Sequence, residues 1–526
     1  MLCSFTPKEE KMVVIEILVA LLLCAVGLAW LARRWRVPYP IMLTLGGIAL
    51  SLVPHMPKLP LDPNLVLVVF LPPVLYPAAL LTSWRDFSRA IRPISLLAIG
   101  LVIATTLIVG ATLKWLVPDI PWAAALAFGA IVSPPDAVAA TAILGTMKLS
   151  RRTVTILEGE SLVNDATGLV LYKFAVAATL SGAFSIAQAS GQFVLVAAGG
   201  LVVGISVGYA YVLLHKHLHD SLIEIMLSLT LPYTAYLLAE TIHVSGVLAV
   251  VAAGLIRARH APEVFSPQSR LLGRSVWQLI VFVLNSLIFI LIGLQLPEIL
   301  QALGNRSLSQ LVGLGVAVSL VAMAVRLAWV FPSAYIPRFL SRRIRDREPK
   351  PPWQMITIIG WCGMRGIVSL AAALALPSTF PHRDLIIFLS FCVIVATLVV
   401  QGLTMPPLIR LLKIGADWTS HDEERNARTK VLQAALRQFD TCSRDHPTAQ
   451  ATADLVREEY RQRIESLHPI RLAFAEPAES LSHLRLALVS AQRTELVRLW
   501  RAREIGDETL HEIEHELDLE EARLRH

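Results

Sequence analysis

Charge is what this sequence has least of. Only 17% of its 526 residues are Asp, Glu, Lys or Arg, where a soluble chain carries about 25%. The scarcity is uneven. Residues 12–412 run as nearly continuous apolar stretches with short charged breaks, whereas 415–526 have an ordinary soluble composition. A division near Gly415 predicts two parts, a membrane domain at 1–414 and a polar tail at 415–526. Cysteine is also sparse. Cys3, Cys24, Cys362, Cys392 and Cys442 show neither disulfide nor metal-ligand spacing. No small-residue cleavage site follows the first apolar run, so that run reads as a span and not as a signal peptide. No GxxxxGK[ST] loop is present to bind a nucleotide, and no cofactor is expected. The net charge of +7 does not argue for nucleic acid, because the basic residues sit between apolar runs, as topology signals do.

Apolar residues make up 55% of the chain, and its mean hydropathy is +0.60. A helix needs roughly 20 mostly apolar residues to cross a bilayer. Thirteen runs are candidates, near 12–32, 38–53, 64–82, 94–117, 122–146, 154–179, 191–214, 221–240, 243–256, 275–296, 308–331, 354–376 and 384–411, the second and ninth of them short. Basic residues cluster in alternate loops. Arg33, Arg34 and Arg36 follow the first run, and Arg85, Arg89 and Arg92 the third. Lys148, Arg151 and Arg152 follow the fifth, Arg257, Arg259, Arg270 and Arg274 flank the break after the ninth, and Arg338 to Lys350 follow the eleventh. The other loops hold little beyond Lys58, Arg306 and Arg383, with Lys8 and Lys11 at the N-terminus. The positive-inside rule then places the N-terminus outside and the tail in the cytoplasm. Gly200, Gly204 and Gly208 share one face of the seventh run, either as a dimer contact or, the favoured reading, for internal packing.

Ionisable residues inside the spans are expensive in hydrocarbon and are functional candidates by default. In the fifth span, Ser133-Pro134-Pro135-Asp136 puts two prolines in mid-helix. These remove backbone donors and break the helix, which is tolerated at that depth where the break lines a cavity. In the sixth span, Glu158-Gly159-Glu160-Ser161-Leu162-Val163-Asn164-Asp165 sets Ser161 and Asp165 on one face and Glu160 and Asn164 on another. Asp165 lies roughly 18 Å into its helix, near the bilayer midplane. In the twelfth span, Gly360, Gly363 and Gly366 surround Arg365 and predict an unwound or closely packed stretch. Arg365 needs an acidic partner, and Glu160 is the expected one. Two interrupted helices in corresponding positions point to a transporter's midplane site.

These residue types suit alkali cations. A carboxylate, a hydroxyl, an amide oxygen and freed carbonyls can replace a hydration shell. Burial favours the protonated form of a carboxyl group, so one acid can hold a proton or a cation but not both. That competition couples the two fluxes.

At these motifs the chain resembles the first cation:proton antiporter family, of NhaP-type bacterial antiporters and animal Na+/H+ exchangers. The likeness rests on Glu160 to Asp165, the run from Phe128 to Tyr172, Leu71-Pro72-Pro73 and Gly363-Met364-Arg365-Gly366. It spans about residues 12–412. It implies an all-α, inverted-repeat, NhaA-like fold with crossed discontinuous helices, a mobile core, a dimerisation domain and hence a homodimer. It also implies alternating access in a plasma (inner) membrane. Asp165 would be the main cation- and proton-binding carboxylate, Asp136 and Ser161 would complete the site, and Asn164 would hold or gate it. Glu160 and Arg365 would form a structural ion pair. An Asn before the essential Asp goes with electroneutral exchange. The expected substrates are Na+ or Li+ against H+, with K+/H+ exchange the nearest alternative. Two departures bear on the cation: Pro135 precedes Asp136 where many members have proline after the acid, and Pro77 follows Tyr76 where members often carry glutamate.

The remaining charges have plainer readings. Glu158, nearer the cytoplasmic end, reads as solvated or funnel-lining. Lys173 is expected to snorkel, Arg326 to pair structurally with an unnamed partner, and Glu16 and Glu224 to lie at the interface. His215, His217 and His219 read as a polar loop before a pH sensor or a metal site. The tail, with Leu484, Leu486, Leu488, Val489, Leu496 and Leu499, predicts a small helical domain or a coiled pair with a partner tail. A membrane aspartyl protease using Asp136 and Asp165 fits less well, given the double proline and the buried arginine. A sensor derived from a transporter is disfavoured by the intact Glu160 to Asp165 run.

Overall fold

The computed structural model describes residues 7–54, 62–63, 66–136, 140, 150–182, 186–218, 220–303, 307–348 and 350–412, with scattered positions of the tail. The rest of the fifth predicted span (137–146, apart from Ala140), Lys58, Lys148, His219, Arg306, Cys3, Cys442 and most of the tail lie outside them.

Helices form at each of the predicted runs. In chain order they are α1 (Pro7–Trp35), α2 (Tyr39–Ser51), α3 (Leu71–Leu81), α4 (Trp84–Arg89), α5 (Ile91–Ser95), α6 (Val102–Leu116) and α7 (Trp122–Val132). There follow α8 (Arg151–Ser181), α9 (Ile186–His215), α10 (Ser221–Thr241), α11 (Gly246–Val264), α12 (Pro267–Leu294) and α13 (Leu296–Ala302). The last six are α14 (Leu308–Leu340), α15 (Arg342–Arg347), α16 (Trp353–Trp361), α17 (Ile367–Leu374), α18 (Arg383–Ala396) and α19 (Gly402–Leu411). Wide π-type turns lead into α3, join α5 to α6 and join α18 to α19. Among the described residues no strand occurs, and seven helical stretches are long and apolar enough to cross a membrane. The helix carrying Asp165, α8, is not one of the seven, because its charges dilute the apolar run.

Polar starts and a left-handed stop fix the long helices. Ser150 accepts the amide proton of Thr153 at the start of α8, and Gly182, at φ 69°, ends it. Asp220, Ser245 and Ser266 cap α10, α11 and α12 in the same way. The glycine face of α9 packs internally. A Cβ at Gly200 or Gly204 would strike the backbone of Ser245 or Ala249 in α11, so these glycines let two helices approach closely within one chain.

Two large apolar cores result among the described residues, beside a small cluster of Ala79, Leu162, Val251 and Leu255. The larger draws on α6, α7, α12, α14, α16, α17 and α18, and the smaller on α3, α9, α10 and α11. Helix α8 reaches both, with Ile156, Leu157 and Tyr172 in the first and Ala166 in the second. The chain divides into two compact units, Met1–Ala416 and Asp417–His526. In the second, Val489, Leu496 and Leu517 pack together.

Candidate functional site

The site forms where two helices stop in mid-course. Helix α7 ends at Val132, and Ser133 to Asp136 leave the helical path. Helix α16 ends at Trp361, and Cys362 to Gly366 run non-helically before α17 begins. The two breaks meet. The backbone N–H of Asp136 donates to the carbonyl of Met364 at 2.7 Å, and Arg365 Nε donates to the carbonyl of Val132 at 2.7 Å.

Both α7 and α16 point their C-terminal ends at this meeting place. Each end carries unsatisfied carbonyls and partial negative charge, and each is met by a fully buried arginine. Arg365 takes the Val132 carbonyl of α7 and also donates to Gly363. Arg326, from α14, donates through Nη2 to the Ile359 carbonyl of α16 at 3.0 Å.

This arrangement corrects the expected ion pair. Glu160 is held by Arg326 and not by Arg365. Arg326 Nη2 reaches Glu160 Oε2 at 2.9 Å, and Nη1 holds the other carboxylate oxygen, both residues being 1% exposed. The reason is local: Arg365 is taken up by carbonyls of its own break and of α7. Sequence could flag Arg326 as a deep cation without naming its partner, because the pairing depends on how α14 lies against α8.

Asn164, also on α8, donates from Nδ2 to the carbonyl of Pro135 at 2.9 Å. It ties α8 to the proline break, and its Oδ1 finds no partner among the described residues. Ser133 Oγ donates to Ala130, so that hydroxyl belongs to the helix end. The Pro134 ring lies against α8 at Gly168.

Asp165, Ser161, Asp136, Pro134 and Gly366 line one cavity of about 50 Å³, with room for roughly three water-sized spheres. Asp165 is buried and makes no hydrogen bond or ion pair with the described residues. Gly366 is required at its position, since a Cβ there would overlap the Asp136 carboxylate. Gly363 is similarly confined by the side chains of Arg326 and Arg365.

Three lining residues were not anticipated. Asn285 of α12 lines the cavity; its only sequence signal is a polar residue in a long apolar run. Glu224, expected at the interface, is buried and lines a larger cleft of about 910 Å³. Arg257, expected in a loop, lies within α11. It donates to Tyr76 and Ser228 and stacks over Phe265, 4.3 Å from the ring centroid. His215 is buried beside it, its Nδ1 2.7 Å from the Tyr211 carbonyl. Lys173 lies 3.9 Å from Glu240. No group of His, Cys, Asp and Glu with metal-site geometry occurs among the described residues.

Broken helices meeting beside buried acids are the architecture of secondary transporters. Comparison with known proteins gives the class directly: residues 18–411 match the family of transmembrane sodium/hydrogen exchangers. The chain belongs to the sodium/hydrogen exchanger family, whose members are antiporters and not enzymes. It is 34% identical to an uncharacterised Na+/H+ exchanger of Mycobacterium tuberculosis, over 97% of this chain and 96% of that protein. It is 31% identical to the sodium, potassium, lithium and rubidium/H+ antiporter of Bacillus subtilis, over 94% of this chain and 76% of that one. Its fold matches the sodium proton antiporter MjNhaP1 of Methanocaldococcus jannaschii with a TM-score of 0.60 at 19% identity, covering 77% of this chain and 99% of that one.

Proposed function

We propose that the protein exchanges Na+ or Li+ for H+ at Asp165, one cation for one proton, by alternating access across the plasma membrane. The observation that carries this reading is the Asp165 carboxylate, buried without a hydrogen-bond or ion-pair partner among the described residues, on a cavity between two helix breaks. A fixed structural charge at that depth would be paired, as Glu160 is. A carboxylate left open can take a cation or a proton in turn.

In this scheme Asp165, Asp136 and Ser161 offer oxygens to the cation. Asn164 holds the proline break in place, and the bound arginines steady the two helix ends. Inverted repeats, thirteen crossings, an external N-terminus, a cytoplasmic tail and a homodimer complete the proposal, with pH and sodium homeostasis as its role. K+ remains a second candidate cargo, because the Bacillus subtilis relative is named for potassium and rubidium as well as sodium and lithium.

The test is dissipation of a pH gradient in vesicles on adding Na+, Li+ or K+, for wild type and Asp165→Asn. Response of the wild type alone supports the scheme. A mutant responding equally, or a wild type responding to no cation, refutes it. Repeating the measurement with the membrane potential clamped and unclamped tests electroneutrality.

A further inference from the structure

The small cavity at Asp165 and the larger cleft share a short stretch of wall. Val74, Ala78, Glu158 and Asn285 line both. Val74 and Ala78 offer nothing to an ion, so the polar surface of this neck comes from Glu158 and Asn285. Glu158 is half-buried and makes no hydrogen bond or ion pair with the described residues. Asn285 is buried, and its amide nitrogen has no partner among them.

Glu158 lies seven residues before Asp165 on the same helix, with Ser161 between them. Seven residues are two turns, so all three share one face of α8, and the two carboxylates are about 10 Å apart along the axis. The outer cleft adds a reason for an acid at this point. It carries three arginines, Arg257, Arg270 and Arg274, against the carboxylates of Glu224 and Glu158. The described residues place no acid in an ion pair with any of the three arginines, and Arg257 is held by hydroxyls instead. A cation crossing the cleft thus meets excess positive charge until it reaches the neck.

We propose that Glu158 is a relay carboxylate of the exchange. It receives the incoming cation at the neck, with the Asn285 amide beside it, and passes it two turns along α8 to Asp165. The inference rests on the exchange reading above and adds a third ion-contacting acid, beside Asp165 and Asp136, to it. A carboxylate at the neck, without a hydrogen-bond or ion-pair partner among the described residues, lowers the cost of stripping water before the cation reaches the small cavity. It acts on arrival and not on the competition at Asp165, so its removal raises the cation concentration needed and leaves turnover at saturation nearly intact.

The experiment measures Na+-dependent pH-gradient dissipation in proteoliposomes for wild type, Glu158→Gln, Glu158→Asp and Asp165→Asn. Glu158→Gln is expected to raise the apparent KM for Na+ roughly tenfold with kcat within about twofold. Glu158→Asp is expected to fall between it and wild type, and Asp165→Asn to be inactive at every concentration. An unchanged KM in Glu158→Gln overturns the relay. So does a loss confined to kcat, equal in the Gln and Asp variants, which would mark a structural residue. If Glu158→Gln does not assemble, Glu158→Asp decides alone, its KM rising severalfold or not. A wild type without exchange overturns the exchange reading itself and the relay with it. A working wild type beside an unaltered Glu158→Gln overturns the relay only.

Discussion

Two acids on one helix have opposite surroundings. Glu160 and Asp165 stand five residues apart on α8, and both are buried. Both oxygens of Glu160 are held by Arg326, which also caps α16. Asp165 has no partner among the described residues and opens on a cavity. The first acid is part of the frame that keeps two broken helices meeting in the membrane. The second, on the exchange reading proposed above, is the one that changes its occupant. A helix face that turns by about 100° per residue separates the two roles within a turn and a half.

The largest expected effect breaks that contrast at its working end. Asp165→Asn should lower exchange by about two orders of magnitude or more, while thermal stability in detergent stays near that of wild type, since no partner among the described residues is lost. A mutant that unfolds instead would mean that Asp165 is structural as well.

Next comes the framing end. Removing one partner of a buried ion pair costs about 3–5 kcal/mol. Arg326→Met should therefore lower the melting temperature sharply, and adding Glu160→Gln should recover part of the loss. A double-mutant cycle should give a coupling above about 1 kcal/mol for Glu160 with Arg326, and a smaller one for Glu160 with Arg365. Equal couplings would restore the pairing expected from sequence.

That wrong pairing shows where the sequence stops being legible. Helices, breaks and candidate acids follow from local chemistry: prolines remove donors, apolar runs need length, and a carboxylate in hydrocarbon needs a reason. Ser161 and Asp165 share a face because the period of the helix says so. Which arginine meets Glu160 depends instead on three helices distant in sequence, α8, α14 and α16, and on carbonyls that exist only once α16 has stopped. Asn285 and Glu224 were obscured for the same reason. Each is one polar residue near an apolar run, and only the packing of α12 and α10 turns it toward a cavity. Arg257 misled in the other direction. Its neighbours Arg259, Arg270 and Arg274 make it look like loop charge, but Tyr76 and Ser228 hold it inside the smaller core's helices.

Intermediate effects fall on residues that join frame to site. Gly366→Ala would push a methyl group into the Asp136 carboxylate. Overpacking of this kind costs typically 1–3 kcal/mol; here it should appear as a roughly tenfold loss of exchange with the protein still assembled. Asn164→Ala removes a side-chain bond to the proline break and the donor that the Pro135 carbonyl receives from α8. That loss is worth about 1–3 kcal/mol, read as a lower melting temperature. A mutant of wild-type stability would show that the break holds its shape unaided.

The smallest effect is expected at a pair that resembles Glu160–Arg326 only on paper. Lys173 lies on the same helix, 3.9 Å from Glu240, but the two side chains are 68% and 39% exposed. Exposed pairs contribute about 0–1 kcal/mol, because solvent and salt screen the attraction and holding two side chains costs entropy. Lys173→Ala should thus change the melting temperature by less than about 2 °C and leave exchange unaltered. A large loss would mean that this end of α8 is buried in the working protein, as it would be against a second copy of the chain. The contrast on α8 would then extend to three charges, two of them structural, with Asp165 alone between them left open for the ion.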